Sequence, residues 1–377
     1  MFHLICSFIG SPMLVLQSVS VHVEGGTMGG LHCLLLLSFH LIAPLPSLAG
    51  RIPAVIVFGD STVDAGNNNY VATIAKADFP PYGRDFPGGR ATGRFCNGRL
   101  ATDFISEALG LPPSIPAYLD PAYTIEDFAR GVCFASAATG FDTATSDFLS
   151  VIPLWKEVEF FKEYRQRLTA YVGKKKAAYI VREAVYIVSI GTNDFIENYY
   201  SPLGRRRWEF TVEEYVDFIV GLARDFFRDI YRLGARKISF TGLSPFGCLP
   251  SERATNQETK GACVEEYNRV AKEFNGKLEA AMQRLCEELP GIKLRFAPLY
   301  DLFLDATQNP SRYGFESSSR GCCGTGKFET SITCNEWTPF TCEDADKFAF
   351  WDSIHPSERF YRFFANQTLS TSLAEFI

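Results

Sequence analysis

The strongest constraint on this chain is a set of four short apolar runs, each ending at a residue that forces a turn. Residues 53–58 (PAVIVF) stop at Gly59, residues 184–190 (AVYIVSI) at Gly191, Lys237–Phe240 at Thr241-Gly242, and Ile292–Ala297 at Pro298. Runs of this length, rich in β-branched and aromatic residues, predict strands covered on both faces. Long amphipathic segments lie between them. The clearest begins at Thr211, with Glu214 three residues on as a capping-box partner. Tyr215, Ile219, Leu222, Phe226, Ile230 and Leu233 follow at spacings of three and four, and Gly234 is placed to stop the helix. Tyr267, Val270, Phe274, Leu278, Met282 and Leu285 repeat the pattern before Pro290-Gly291. Strands alternating with helices predict a parallel α/β sheet with helices on both faces, and chemistry beyond the carboxyl ends of the strands.

Composition sets the outer limits. The 377 residues are 46% hydrophobic and 14% aromatic, enough for a substantial core, and 37 Lys and Arg against 43 Asp and Glu give −6, no general attraction to nucleic acid. The basic runs Lys174–Lys176 and Arg205–Arg207 read as solvated surface. Residues 1–49 differ from the rest in carrying a single formal charge, Glu24. From Met28 they read MGGLHCLLLLSFHLIAPLPSLAG, with an apolar stretch at Leu34–Ile42 and a small-residue cleavage site at Ser47-Leu48-Ala49. This predicts a signal peptide over 1–49, or one starting at Met28 with 1–27 as an upstream extension, and a mature domain over 50–377. The run is too short and too interrupted by proline for a comfortable membrane anchor, and no other segment reaches spanning length.

Secretion makes the cysteines informative. Past the leader there are nine: Cys96, Cys133, Cys248, Cys263, Cys286, Cys322, Cys323, Cys334 and Cys342. In an oxidising compartment most are expected to pair; the Cys322–Cys342 cluster lacks Cys-x-x-Cys spacing for zinc. Asn366-Gln367-Thr368 is a sequon that predicts glycosylation at Asn366. Gly321–Lys327 matches the start of a phosphate-binding loop, but Phe328 occupies the position of the magnesium-binding hydroxyl and no apolar strand precedes it. A disulfide-tied loop is expected there instead.

His3, His22, His32 and His40 all fall in the leader, which leaves His355 as the one imidazole of the mature chain. It stands in Asp352-Ser353-Ile354-His355, where a carboxylate three residues upstream can fold back on Nδ1 and leave Nε2 free to accept a proton. Such a base needs a nucleophile. Gly59-Asp60-Ser61 follows directly on the first strand, where the glycine can supply a tight turn that lifts Ser61 to the sheet's edge. Gly191-Thr192-Asn193-Asp194 closes the second strand and brings Asn193 to the same edge, in position to donate to a tetrahedral intermediate.

These segments resemble the plant GDSL esterase/lipases, a branch of the SGNH hydrolase superfamily, and the resemblance spans residues 53–365. FGDSTVDAGNNN at 58–69 is similar to the family's first block, with Thr62 in place of its leucine, GTND at 191–194 to the third and DSIH at 352–355 to the fifth. RFCNGR, GVCFASAATGFD, SPFGCLP and RGCCGTGKFE are also similar in text. The resemblance implies a three-layer α/β/α sandwich with about five parallel strands, flavodoxin-like in the manner of SGNH hydrolases. It implies Ser61 as nucleophile and oxyanion donor, Asn193 as oxyanion donor, His355 as base and Asp352 as its orienter. The second block usually supplies a glycine N–H to the oxyanion hole. Here it reads Ala135-Ser136-Ala137-Ala138-Thr139-Gly140, so either Ala138 replaces that glycine or Gly140 takes its place.

The expected activity is hydrolysis of carboxylic esters through an acyl-enzyme, with no metal or organic cofactor and an ester or lipid as the small-molecule partner. Two other readings share the fold: an acyltransferase using the same triad, and a catalytically weak binder of lipid or glycan.

Overall fold

The computed structural model describes residues 52–377, so the leader lies outside the described residues. Five strands form the central sheet: β1 (Val55–Gly59), β2 (Gly131–Cys133), β3 (Val185–Ser189), β4 (Lys237–Thr241) and β5 (Lys293–Ala297). Their order is β2-β1-β3-β4-β5, and every pair is parallel. This is the flavodoxin-like order, in which the chain winds outward in both directions from β1 and leaves a crevice beside it at the carboxyl ends.

β1 and β3, at the middle of the sheet, are apolar up to their last residue because both their faces are covered. Val55, Ile56, Val57 and Phe58 are wholly buried, and each such side chain contributes about 1.5–3 kcal/mol relative to exposure. Phe58 packs edge-on against Phe161 and Phe226 from helices Leu154–Val172 and Val212–Arg232. Ile187 of β3 points the other way, into a space it shares with Ile105, Phe303 and Tyr361 from helices Ala101–Ala108, Leu299–Gln308 and Glu358–Ser370. Three layers result, as the strand and helix alternation predicts.

Helix Val212–Arg232 starts as its sequence dictates: Thr211 accepts from Glu214 N–H, and Glu214 accepts from the Thr211 N–H at 2.8 Å. Tyr215, Ile219, Phe226 and Ile230 form its buried stripe. Helix Glu265–Glu288 likewise buries Val270, Phe274, Leu278, Met282 and Leu285.

Two features depart from the sequence reading. β2 has only three residues, too few for periodicity to mark, and it owes its place to pairing with Val55–Val57. The run Arg205–Arg207 is not simply solvated, because Arg206 Nε and Nη2 reach the two oxygens of Asp142 at 2.7 and 3.0 Å. Asp142 in turn caps the helix Thr143–Leu149.

A second, two-stranded parallel sheet pairs β6 (Ser317–Gly321) with β7 (Phe348–Phe350). The segment between them carries two disulfides, Cys322–Cys342 and Cys323–Cys334, and a third joins Cys248 to Cys263. Six of the nine cysteines are thus paired, leaving Cys96 and Cys133 buried and Cys286 half-buried as thiols. The phosphate-loop lookalike at Gly321–Lys327 is this disulfide-tied turn. Among the described residues no helix is long and apolar enough to cross a membrane.

Candidate active site

The end of β1 sets the first side chain. Gly59 has φ of 140°, and a Cβ there would sit 1.9 Å from the Ser189 carbonyl oxygen, so only glycine lets the chain turn this close to β3. The next N–H, from Asp60, donates to that same oxygen at 2.9 Å. The Asp60 carboxylate folds back to accept from the N–H and hydroxyl of Thr62 at 3.0 and 2.7 Å. Burial pushes this carboxyl up to about 6. Ser61 emerges from the turn with 7% of its surface exposed. Behind the turn, Glu157 of helix Leu154–Val172 accepts from Gly59 N–H at 3.0 Å, and its own burial drives that carboxyl well above the ordinary range.

The loop after β7 brings in the base. Asp352 is wholly buried and caps its own loop, with Oδ1 accepting from the N–H groups of Ile354 and His355 at 2.9 and 2.7 Å. That local turn presents the imidazole edge to the carboxylate, with His355 Nδ1 2.7 Å from Oδ2 and 2.9 Å from Oδ1. The far nitrogen, Nε2, lies 2.8 Å from Ser61 Oγ. Burial alone would raise the Asp352 carboxyl, but His355 and the backbone N–H groups outweigh it and hold it below the usual carboxylate range. Phe95 packs against the imidazole with ring centres 4.9 Å apart. Residues separated by 294 positions therefore meet in a continuous chain of polar atoms. Such a chain can move a proton from a hydroxyl to an imidazole whose tautomer is fixed.

Asn193 follows β3 at the same edge and leads into a π-helical turn, Asp194–Tyr199, of the kind that often marks functional sites. One Nδ2 proton goes to the Thr139 carbonyl at 2.9 Å, and the side chain lines the same cavity as Ser61. The segment after β2 is held against β1 by the first block's polar residues. Asn67 Nδ2 donates to the carbonyls of Cys133 and Ala135, Asn68 Nδ2 to that of Ala137, and Asp64 accepts from the Ala137 N–H.

In that segment Ala138 has φ of 64°, the left-handed region that favours glycine, and its N–H bonds to no other group among the described residues. Gly140 is small for a different reason: a Cβ there would lie 2.2 Å from Asp194 Oδ1. Asp194 accepts from the N–H groups of Phe141 and Asp142 and from the Thr145 hydroxyl.

Ser61 and Asn193 open onto a narrow cavity of about 100 Å³ running between the sheet and the helices on its second face. Its walls are mostly apolar, including Val63, Ile105, Ile187, Leu243, Phe303 and Phe364. Asn366 lies apart from it, exposed on helix Glu358–Ser370.

Residues invisible to the sequence reading also touch the site. The Tyr82 hydroxyl is 2.7 Å from Asp352 Oδ2, and the Thr330 hydroxyl 3.2 Å from the same atom. Neither residue has a periodicity or spacing that could have flagged it; each is brought in by a loop.

With this geometry in place, comparison with known proteins is decisive. The profile of the GDSL-like lipase/acylhydrolase family matches residues 55–368. The chain belongs to that family. GDSL esterase/lipase At2g42990 of Arabidopsis thaliana is 60% identical over 320 residues, 85% of this chain and 91% of that protein. GDSL esterase/lipase At4g26790 of the same plant is 55% identical over 342 residues, 91% of this chain and 97% of its own length. GDSL esterase/lipase APG, also from Arabidopsis thaliana, is 44% identical over 329 residues, covering 87% and 91%. Membership makes the chain a carboxylic ester hydrolase.

Proposed function

We propose that the chain is a secreted GDSL serine hydrolase that cleaves carboxylic esters through Ser61, His355 and Asp352, with an acyl-enzyme intermediate. The observation that carries this reading is the 2.8 Å approach of His355 Nε2 to Ser61 Oγ while Nδ1 rests 2.7 Å from Asp352. As Ser61 Oγ attacks the ester carbonyl carbon, its proton passes to Nε2. The imidazolium gains its stabilisation from a carboxylate that stays ionised because its donors keep it a weak base. Collapse of the tetrahedral intermediate sends the proton from Nε2 to the leaving alkoxide and releases the alcohol. Water then repeats the sequence on the acyl-enzyme and frees the acid.

The developing oxyanion is received by three donors on neighbouring loops: the N–H groups of Ser61 and Ala138 and the second Nδ2 proton of Asn193. Support for Ala138 over Gly140 comes from its left-handed backbone, the conformation that a glycine at this point would adopt freely. The acyl chain is assigned to the apolar cavity beside Ser61. Secretion is supported by the apolar leader and by three disulfides, which persist in oxidising compartments. Asn366, exposed on the last helix, is proposed to carry a glycan.

A fluorophosphonate probe tests the chemistry. Mass spectrometry of the labelled, folded protein is expected to place the adduct on Ser61, and Ser61→Ala to abolish both labelling and turnover of a p-nitrophenyl ester. An adduct elsewhere, or Ser61→Ala with parental turnover, would sink the assignment. Adding an alcohol to the same assay separates hydrolysis, read as acid release, from transfer, read as new ester.

A further inference from the structure

We infer that Tyr82 is a positioning residue of the triad, its hydroxyl donating to Asp352 Oδ2 and fixing the carboxylate against His355. The inference rests on the proposed Ser61–His355–Asp352 chemistry and extends it by a member from a separate loop.

Proton bookkeeping sets the direction of the bond. Tyr82 Oη lies 2.8 Å from the Ser331 N–H, which can only donate, so one lone pair of the phenol oxygen is taken. The acceptor within reach of its single proton is Asp352 Oδ2, at 2.7 Å. Burial and the neighbouring Asp352 charge hold that proton on the phenol far above its ordinary range. The ring has no freedom to leave: Tyr82 is 1% exposed and is packed against Phe79, Phe95 and Trp351.

The consequence follows from counting donors on a buried carboxylate. Oδ1 receives the N–H groups of Ile354 and His355, and Oδ2 receives the hydroxyls of Tyr82 and Thr330, while Nδ1 bridges both oxygens. The backbone donors belong to the loop that carries His355 itself. Tyr82, 270 positions away, ties the carboxylate to a different part of the molecule and so fixes the plane in which it meets the imidazole. Each donor also lowers the carboxylate's basicity, so that it steadies the imidazolium without taking its proton.

The other titratable groups facing the pair are Asp60, Cys96 and Tyr361, none of which is bonded to Asp352 or His355. The Glu329 carboxylate is turned away, onto Thr325 and the N–H groups of Lys327 and Phe328.

Tyr82→Phe in the full chain keeps the ring and deletes the donor. Its kcat is expected to fall about tenfold or more, because a carboxylate free to tilt no longer holds the imidazole in line with Ser61, with KM within about twofold of the parent. The acid limb of the kcat/KM profile is expected to move to higher pH, because a less satisfied carboxylate stabilises the imidazolium more. A purely structural role would lower activity without moving that limb. Replacing Tyr82 by 3-fluorotyrosine, a stronger donor of nearly the same shape, is expected to move the limb the opposite way, and it gives a reading should the phenylalanine variant not fold.

An acid limb unmoved in both variants overturns the inference. Ser61→Ala is measured alongside. If it is inactive while the Tyr82 variants match the parent, this inference fails and the triad stands; if it retains turnover, both fail.

Discussion

At the scale of single residues, the most unusual backbone in the candidate site belongs to Ala138. A non-glycine residue at φ of 64° carries a conformational cost of about 1–2 kcal/mol, from the approach of its Cβ to the backbone. The position is nonetheless where an oxyanion donor is proposed. Ala138→Gly is expected to leave turnover equal or higher and to change the unfolding free energy, read from a urea titration, by no more than about 1 kcal/mol, since relieved strain and added unfolded-state entropy oppose each other. A large loss of turnover would show that the methyl group, rather than the N–H, matters there. Ser61 and His355 were legible because the chain past residue 49 holds a single imidazole, and that imidazole has a carboxylate three residues before it. Tyr82 was not, because nothing local distinguishes a loop tyrosine whose partner lies 270 positions away.

At the scale of elements, the end of β1 is held from behind by the helix Leu154–Val172 through Glu157. The carboxyl is buried and driven strongly toward its neutral form, while one of its oxygens accepts from Gly59 N–H. Glutamine supplies the same acceptor without a charge, so Glu157→Gln is expected to match the parent in melting temperature and turnover. Glu157→Leu leaves the Gly59 N–H without a partner and is expected to cost about 1–3 kcal/mol, read from a denaturant titration, with a fall in kcat as the turn at Ser61 loosens. Four of the five sheet strands could be read from the sequence: β1 and β3 because burial on both faces demands unbroken apolar runs, and β4 and β5, whose runs carry lysine, serine or arginine, because a turn residue closes each. β2 could not, since three residues with a glycine at their head are ordered by their neighbour rather than by their own pattern. The same holds for the segment 134–140, where the amide side chains of Asn67 and Asn68 satisfy the carbonyls of Ala135 and Ala137.

At the scale of the whole molecule, several buried acids set how stability depends on pH. Burial, with Asp60 and Asp194 nearby, raises Glu197 to about 8, and burial raises Glu252 to about 7. In the unfolded chain both ionise near the ordinary value of about 4.3. Between those limits the native state binds more protons than the unfolded one, so stability falls as pH rises through the window. Carboxyls held low, Asp352 among them, titrate below it and do not oppose the trend. The urea midpoint is therefore expected to be higher at pH 5 than at pH 8, and Glu197→Gln to flatten the difference; a midpoint that rises with pH would contradict this.

The 294 positions between the proposed nucleophile and its proposed base also bear on when the protein becomes active. Synthesis delivers Ser61 294 residues before His355, which stands between β7 and the helix Glu358–Ser370. Every shorter nascent chain holds the hydroxyl without its base. On the proposed triad, ester cleavage therefore waits until the segment around His355 has docked beside the turn that carries Ser61.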